Sequence, residues 1–219
     1  MKYHIVIARY NENIDWIKYI DTNLFDIFIY NKGNNININN IHYKIINLDN
    51  TGRESHTYLY HIINNFDNLP EKIIFTQAHP FDHVINTFID EINNFNNCSV
   101  NFFYFSKNIL NIQYDKNENK FIEFGNLNGD NWQNYHELNS PISTTMKKMF
   151  ENFEEQQLIL IFGTGAIYGV NKELIIKNKK DFYVNCIDIL NSSSNLKNPD
   201  EGHSFERLWY YIFNIQIPK

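Results

Sequence analysis

Apolar and polar positions alternate in two rhythms along the first half of the chain. Residues 3–9 form a short run rich in β-branched side chains, the pattern of a buried strand. Trp16, Ile17 and Ile20 follow at helical spacing. Residues 26–30 and 42–47 read as a second and a third strand, parted by an asparagine-rich loop around Gly33. Tyr58, Ile62, Ile63 and Phe66 then recur at three- and four-residue intervals, which predicts a helix from about 53 to 66, stopped by Leu69-Pro70. A fourth strand covers 72–77, and Pro80 breaks the chain before a helix carried by Val84, Phe88 and Ile92. Strands that alternate with helices imply βαβ units. The expected fold is therefore α/β, a three-layer α/β/α arrangement with a mainly parallel central sheet and ligand-binding groups at the carboxyl ends of its strands.

The stretch from about 98 to 143 is less regular: 100–105 is strand-like, and 114–140 reads as a hairpin or an ordered loop. Pattern returns at 158–162, a strand that runs into Gly163-Thr164-Gly165 and then a second short strand over 166–170. A short helix from Lys172 and longer ones over 181–190 and 204–214 complete the chain. With no internal repeat and no linker composition, the expectation is one domain over residues 1–219.

Composition narrows the classes. Of 219 residues, 43% are hydrophobic and 20% charged, the balance of a globular chain. The formal charge of −6 counts against a general nucleic-acid binder, which should carry a basic stripe, but leaves room for a small nucleotide ligand. Two cysteines, Cys98 and Cys186, cannot make a disulfide framework or a zinc ribbon. No apolar run approaches the roughly 20 residues of a bilayer span, and no signal peptide precedes the first strand. A soluble, cytoplasmic protein is expected. Asparagine supplies about one residue in six, far above the globular norm. Asparagine and isoleucine both have AT-rich codons, as in the genomes of some protists and large DNA viruses, so a single asparagine carries little weight here.

Five segments offer chemistry, each with a plainer structural reading beside it. Tyr10, Asn11 and Glu12 follow strand one, where doubly wound folds recognise a base or ribose; Asn11 could equally cap a helix. In Asn50-Thr51-Gly52-Arg53-Glu54, Gly52 permits a tight turn, the helix start offers free N–H groups to an anion, and Arg53 adds a fork for phosphate. The alternative is a capped helix with a charged first turn. Thr76-Gln77-Ala78-His79 runs on to Asp82 and His83, a set able to bind a divalent metal or simply to begin a helix. Gly163-Thr164-Gly165-Ala166 lacks the Gly-Lys-[Ser/Thr] ending of a P-loop and reads as close backbone packing near a ligand. Finally, His203 and Glu206 are three apart and share a helix face if that helix begins early enough, with a surface pair between Glu206 and Arg207 as the plainer reading.

Taken in order, Ile-Val-Ile-Ala-Arg-Tyr-Asn-Glu (5–12), Tyr-Asn-Lys-Gly (30–33), Asn-Thr-Gly-Arg-Glu-Ser-His-Thr-Tyr-Leu-Tyr-His-Ile (50–62), Ile-Phe-Thr-Gln-Ala-His (74–79), Gly-Ala-Ile-Tyr-Gly-Val (165–170) and Glu-Arg-Leu-Trp-Tyr-Tyr-Ile-Phe (206–213) resemble the domain-of-unknown-function 3431 family. That family name implies no activity. More remotely, the layout is similar to glycosyltransferases of the A-type, Rossmann-like fold. The resemblance implies that Tyr10, Asn11 and Glu12 hold the nucleoside, that Asn31 and Lys32 sit beside it, and that Asn50, Gly52 and Arg53 lie near the diphosphate or sugar. Gln77 and His79 fall where such enzymes carry a metal-binding Asp-x-Asp, which this chain lacks. Either Asp82 or His203 completes an unusual manganese or magnesium site with His79, or Arg53 or Lys32 neutralises the departing diphosphate without metal, or transfer has been lost. Glu206 would be the acceptor-side base, with Trp209 lining the acceptor cleft. The expectation is transfer of a sugar from a nucleotide-diphosphate donor to a hydroxyl of a glycan or protein. Its rivals are a non-catalytic nucleotide- or carbohydrate-binding module and a metal-dependent hydrolase built on His79, Asp82 and His203.

Overall fold

The computed structural model describes residues 2–38, 40–115, 117, 120–126, 141–150, 153 and 159–214. Its elements run β1 (Tyr3–Arg9), β2 (Phe25–Asn31), β3 (Tyr43–Asn47), α1 (Arg53–Asn65), β4 (Lys72–Gln77), α2 (Phe88–Asn93), β5 (Phe102–Tyr104), β6 (Ile109–Asp115), β7 (Lys120–Asn126), α3 (Ile142–Met149), β8 (Ile159–Gly163), β9 (Tyr168–Asn171), α4 (Lys172–Ile175), α5 (Lys180–Asn191) and α6 (Asp200–Asn214).

Six strands make one sheet in the order β3-β2-β1-β4-β9-β5. The first four run parallel, pairing Ile5 with Ile27 on one side and with Ile74 on the other. Such strands are covered on both faces, which is why β1 reads as an unbroken apolar run. Alternation then divides its residues between two cores. Val6 packs with Tyr58, Leu59 and Ile62 of α1 and Leu208 and Trp209 of α6, whereas Ile5 and Ile7 pack with Trp16, Phe88 and Ile92. The sheet is therefore flanked on both sides, as expected.

Four features depart from the sequence expectation. The sheet is mixed: β9 pairs antiparallel with both β4 and β5. Apolar periodicity marks a strand but not its direction. A second, three-stranded antiparallel sheet, β7-β6-β8, takes in the strand at 159–163; its β6–β7 pair begins at Ile109, ahead of the 114–140 stretch expected to hold a hairpin or an ordered loop, of which residues 116, 118, 119 and 127–140 lie outside the described residues. The two early helices also shrink. Trp16 and Ile17 sit in a single 3-10 turn, Asp15–Tyr19. Val84 forms an isolated bridge to Ser106, because the His83 and Val84 N–H groups both return to the Pro80 carbonyl and close a turn there. Helix α6 opens at Asp200, four residues early and directly after Pro199. No helix among the described residues is long and apolar enough to cross a membrane. Cys98 and Cys186 are both free thiols.

The topology fixes where a ligand can sit. The chain leaves β1 for β2 and β3 on one side and returns to place β4 on the other, so the carboxyl ends of β1 and β4 face a crevice where the winding reverses.

Candidate active site

A pocket of about 290 Å³ opens at that switch point. Ala8, Tyr10 and Glu12 reach it from the end of β1, and Lys32 from the end of β2. Asn50, Arg53 and Glu54 come from the β3–α1 turn, Gln77 from the last position of β4, and Lys197 and Asn198 from the segment before α6. Most of the stretches singled out in the sequence thus meet at one hollow.

The β1 loop is built by Arg9. Its guanidinium is buried and spent inside the protein, donating to the carbonyls of Glu12, Tyr10 and Asn34 and to Asn31 Oδ1. Asn31 is buried too, its amide nitrogen shared among Gly33, Asn34 and Asn47 oxygens. It organises the loop and does not line the pocket, contrary to its expected place beside the nucleoside. Asn11 likewise turns its Oδ1 to the Asn34 N–H at 2.8 Å. Gly33 explains the Tyr-Asn-Lys-Gly block: a Cβ there would stand within van der Waals overlap of the Tyr10 carbonyl. Tyr10 itself is half exposed at the pocket mouth, and its N–H donates to Glu12 Oε2 at 2.7 Å.

The β3–α1 turn carries two successive residues in the left-handed region, Gly52 at φ 62° and Arg53 at φ 52°. The second is unusual for a side-chain-bearing residue, and such strain gathers at functional sites. Three contacts hold it. The Gly52 N–H donates to Leu196 O at 2.7 Å, and Lys32 Nζ donates to Thr51 O at 2.6 Å and to Arg53 O at 2.5 Å. The Arg53 side chain is fixed by Asn198 Oδ1 at 3.0 Å and His203 Nε2 at 2.9 Å. Accepting that bond makes His203 a neutral imidazole protonated on Nδ1, in line with a pKa lowered by burial and by the Arg53 charge. Burial also pushes the Lys32 ammonium down to about 8, against the pull of Glu54. Glu54 moves the other way. Burial raises its carboxyl above the ordinary range, Arg53 opposes this and Glu206 adds to it.

The remaining candidates lie around this core rather than in it. Gln77 Nε2 donates to Gly165 O at 2.8 Å, and the Gly165 N–H donates to Glu206 Oε1 at 2.7 Å. Glu206 also stands 3.4 Å from Arg207 Nη1. It braces the β8–β9 turn behind Gln77 and is not among the residues of the pocket wall. Trp209, expected in an acceptor cleft, is fully buried against Tyr58 and Tyr168 and belongs to the core. His79 and Asp82 face each other at 3.9 Å with exposed side chains, while His203 is turned to Arg53. The three expected metal ligands do not gather, and no group of three or more His, Cys, Asp or Glu side chains suited to an ion occurs among the described residues. Glu54, Lys197 and Asn198 were not singled out by sequence reasoning. Glu54 could have been, since it completes the Gly-Arg-Glu block; nothing in the polar stretch before α6 marks the other two.

The profile of a family described as "Protein of unknown function (DUF3431)" matches residues 5–218, nearly the whole chain. The chain belongs to that family. No curated protein matches it.

Proposed function

We propose that this member of the DUF3431 family is a glycosyltransferase that takes its sugar from a nucleotide-diphosphate donor. The observation that supports the reading is the convergence of Lys32, from the end of β2, and Arg53, from the β3–α1 turn, on one pocket at the topological switch point. The chain as a whole is acidic, yet Arg9, Lys32, Arg53 and Lys197 line the pocket against Glu12 and Glu54. That local excess of positive charge favours an anionic ligand, and a diphosphate leaving group needs it most as the glycosidic bond breaks. In this reading the Arg53 fork, pre-set by Asn198 and His203, takes the diphosphate. Lys32 supports Arg53 through the backbone it holds. The pocket is at the lower end of the ~300–1,000 Å³ range of ligand sites, so the nucleoside would extend across the exposed ring of Tyr10.

A non-catalytic nucleotide- or carbohydrate-binding module is the second reading, favoured by Glu206 being committed to Gly165 and Arg207. Calorimetry and thermal shift with uridine- and guanosine-diphosphate sugars, with and without manganese, test both. Binding is expected, and Arg53→Ala should weaken it roughly 10- to 100-fold, the loss of one charge-assisted contact. Absence of binding by every donor would end the donor-site reading. Binding with neither transfer nor donor hydrolysis would leave the module.

A further inference from the structure

Two of the side chains on the pocket wall are carboxylic, and they are placed very differently. Glu12 gives an oxygen to the Tyr10 N–H at the mouth. Glu54 stands in the first turn of α1 with only 13% of its side chain exposed, and its contact with Arg53 Nε is a loose 3.5 Å. Arg53 directs Nη1 away from it, to Asn198 and His203. Tyr58, one turn further along α1, has a buried hydroxyl that finds no hydrogen-bond partner among the described residues, and the same is true of the Tyr168 hydroxyl and Trp209 Nε1. The three rings touch, with centroids 5.5–5.9 Å apart. Tyr58 feels the charges of both Glu54 and Glu206, and Tyr168 that of Glu54. Glu54 thus stands on the pocket wall, largely buried and held only by a loose contact with Arg53.

We infer that Glu54 is the proton acceptor of the pocket. The inference rests on the transferase reading of the same site. The acceptor hydroxyl oxygen forms its bond to the anomeric carbon while the bond from that carbon to the diphosphate oxygen breaks. The electron pair leaves with the diphosphate toward Arg53, and the hydroxyl proton passes to a Glu54 carboxylate oxygen. Arg53 and Tyr58 on α1, Lys32 beyond β2, Glu206 on α6 and Tyr168 on β9 are electrostatically coupled to it, and Arg9, Tyr10, Glu12 and Lys197 share its pocket wall. Burial and the Glu206 charge favour the proton on Glu54, whereas Arg53 favours its release. A carboxyl moved toward the working pH is the efficient one for this transfer.

The test combines carboxyl carbon NMR titration with turnover of a uridine- or guanosine-diphosphate sugar, water serving as acceptor. A Glu resonance with a midpoint above the ordinary carboxylate range is expected, absent in Glu54→Gln and replaced by an Asp resonance in Glu54→Asp. In Glu206→Gln that midpoint should fall, since the Glu206 charge holds it up, and the acid limb of turnover should fall with it. Glu54→Gln should keep nucleotide binding and lose turnover by about 10²- to 10⁴-fold. An ordinary Glu54 midpoint, or wild-type turnover in Glu54→Gln, overturns the inference. If no donor binds the wild-type protein, the transferase reading fails instead. In that case a raised midpoint that moves with Glu206→Gln still supports a proton-exchanging carboxyl here, and an ordinary one overturns it.

Discussion

Gly52 and Arg53 show how much of the pocket depends on backbone conformation at single positions. Gly52 holds φ 62°, and a Cβ there would lie 2.6 Å from the His56 Cβ. Gly52→Ala should therefore destabilise the protein by about 1–2 kcal/mol from the left-handed conformation alone. For a chain of this size that is a fall of roughly 2–8 °C in Tm, readable by thermal denaturation. Arg53 already bears that conformation, held by Lys32 through the Thr51 and Arg53 carbonyls. Lys32 also gives the site a pH limit. Its ammonium titrates at about 8 in the folded protein instead of its usual 10.5. Below about pH 8 the pocket carries that charge, and above it the charge is lost. Affinity for a nucleoside diphosphate should accordingly fall as pH rises from 7 to 9.5, and Lys32→Met should bind more weakly and lose most of that dependence. A calorimetric affinity that stays level over this range in the wild-type protein would refute the assignment.

Between β1, β2 and α1 lies a buried imidazole pair that ties elements together. His4 Nδ1 is 3.1 Å from His61 Nε2, and His61 Nδ1 is 2.9 Å from the Tyr30 hydroxyl. Burial and the nearby Lys44 charge lower His4 to about 4, and burial with His4 lowers His61 well below its ordinary value. A depressed histidine pKa means that the unfolded chain takes up a proton before the native one does. The contribution is complete above about pH 6.5 and is lost as pH falls toward 4, amounting to about 3 kcal/mol for His4 alone. Urea unfolding should show this acid slope, and His61→Phe should flatten it whatever it does to stability at pH 7. Nothing in the sequence announced the pair, because His4 and His61 are 57 positions apart and each reads as a lone polar residue in an apolar run. What was legible were the elements with strong periodicity: β4, foreseen at 72–77, occupies those residues, and α1 differs from expectation by one residue at its end. The failures share a cause. The helix expected after Pro80 shortens to Phe88–Asn93 because a turn closed by the Pro80 carbonyl and a bridge to Ser106 take up Val84. The antiparallel direction of β9 follows from its partners β4 and β5, which local spacing does not encode.

At the scale of the molecule, the site was legible in so far as it consists of strand ends. Tyr10, Lys32, Asn50 and Gln77 follow or end β1, β2, β3 and β4, and a parallel sheet must carry such positions to one edge. Asn198 was not legible, since its role depends on the segment before α6 folding back so that Leu196 receives the Gly52 N–H and Asn198 receives Arg53. The first third of the chain and the segment before α6 are thereby joined at the pocket. A ligand bound there adds to the contacts that already join these segments, and it stabilises the native state as a whole by RT ln(1 + [L]/Kd), about 2.7 kcal/mol at 100 Kd. The pattern of amide hydrogen exchange should follow the pocket rather than the sequence motifs. On adding uridine or guanosine diphosphate, protection is expected in residues 9–12, 32–34, 50–54 and 196–198, which build the walls and the turn beneath them. Residues 79–83 should change little, since His79 and Asp82 are exposed and paired with each other. Lowering the ionic strength should strengthen binding, because a cationic pocket on an acidic protein attracts an anion over about a Debye length. Protection centred on 79–83, or affinity indifferent to salt, would place the anion elsewhere and separate the motif that looked like a metal site from the pocket that looks like a diphosphate one.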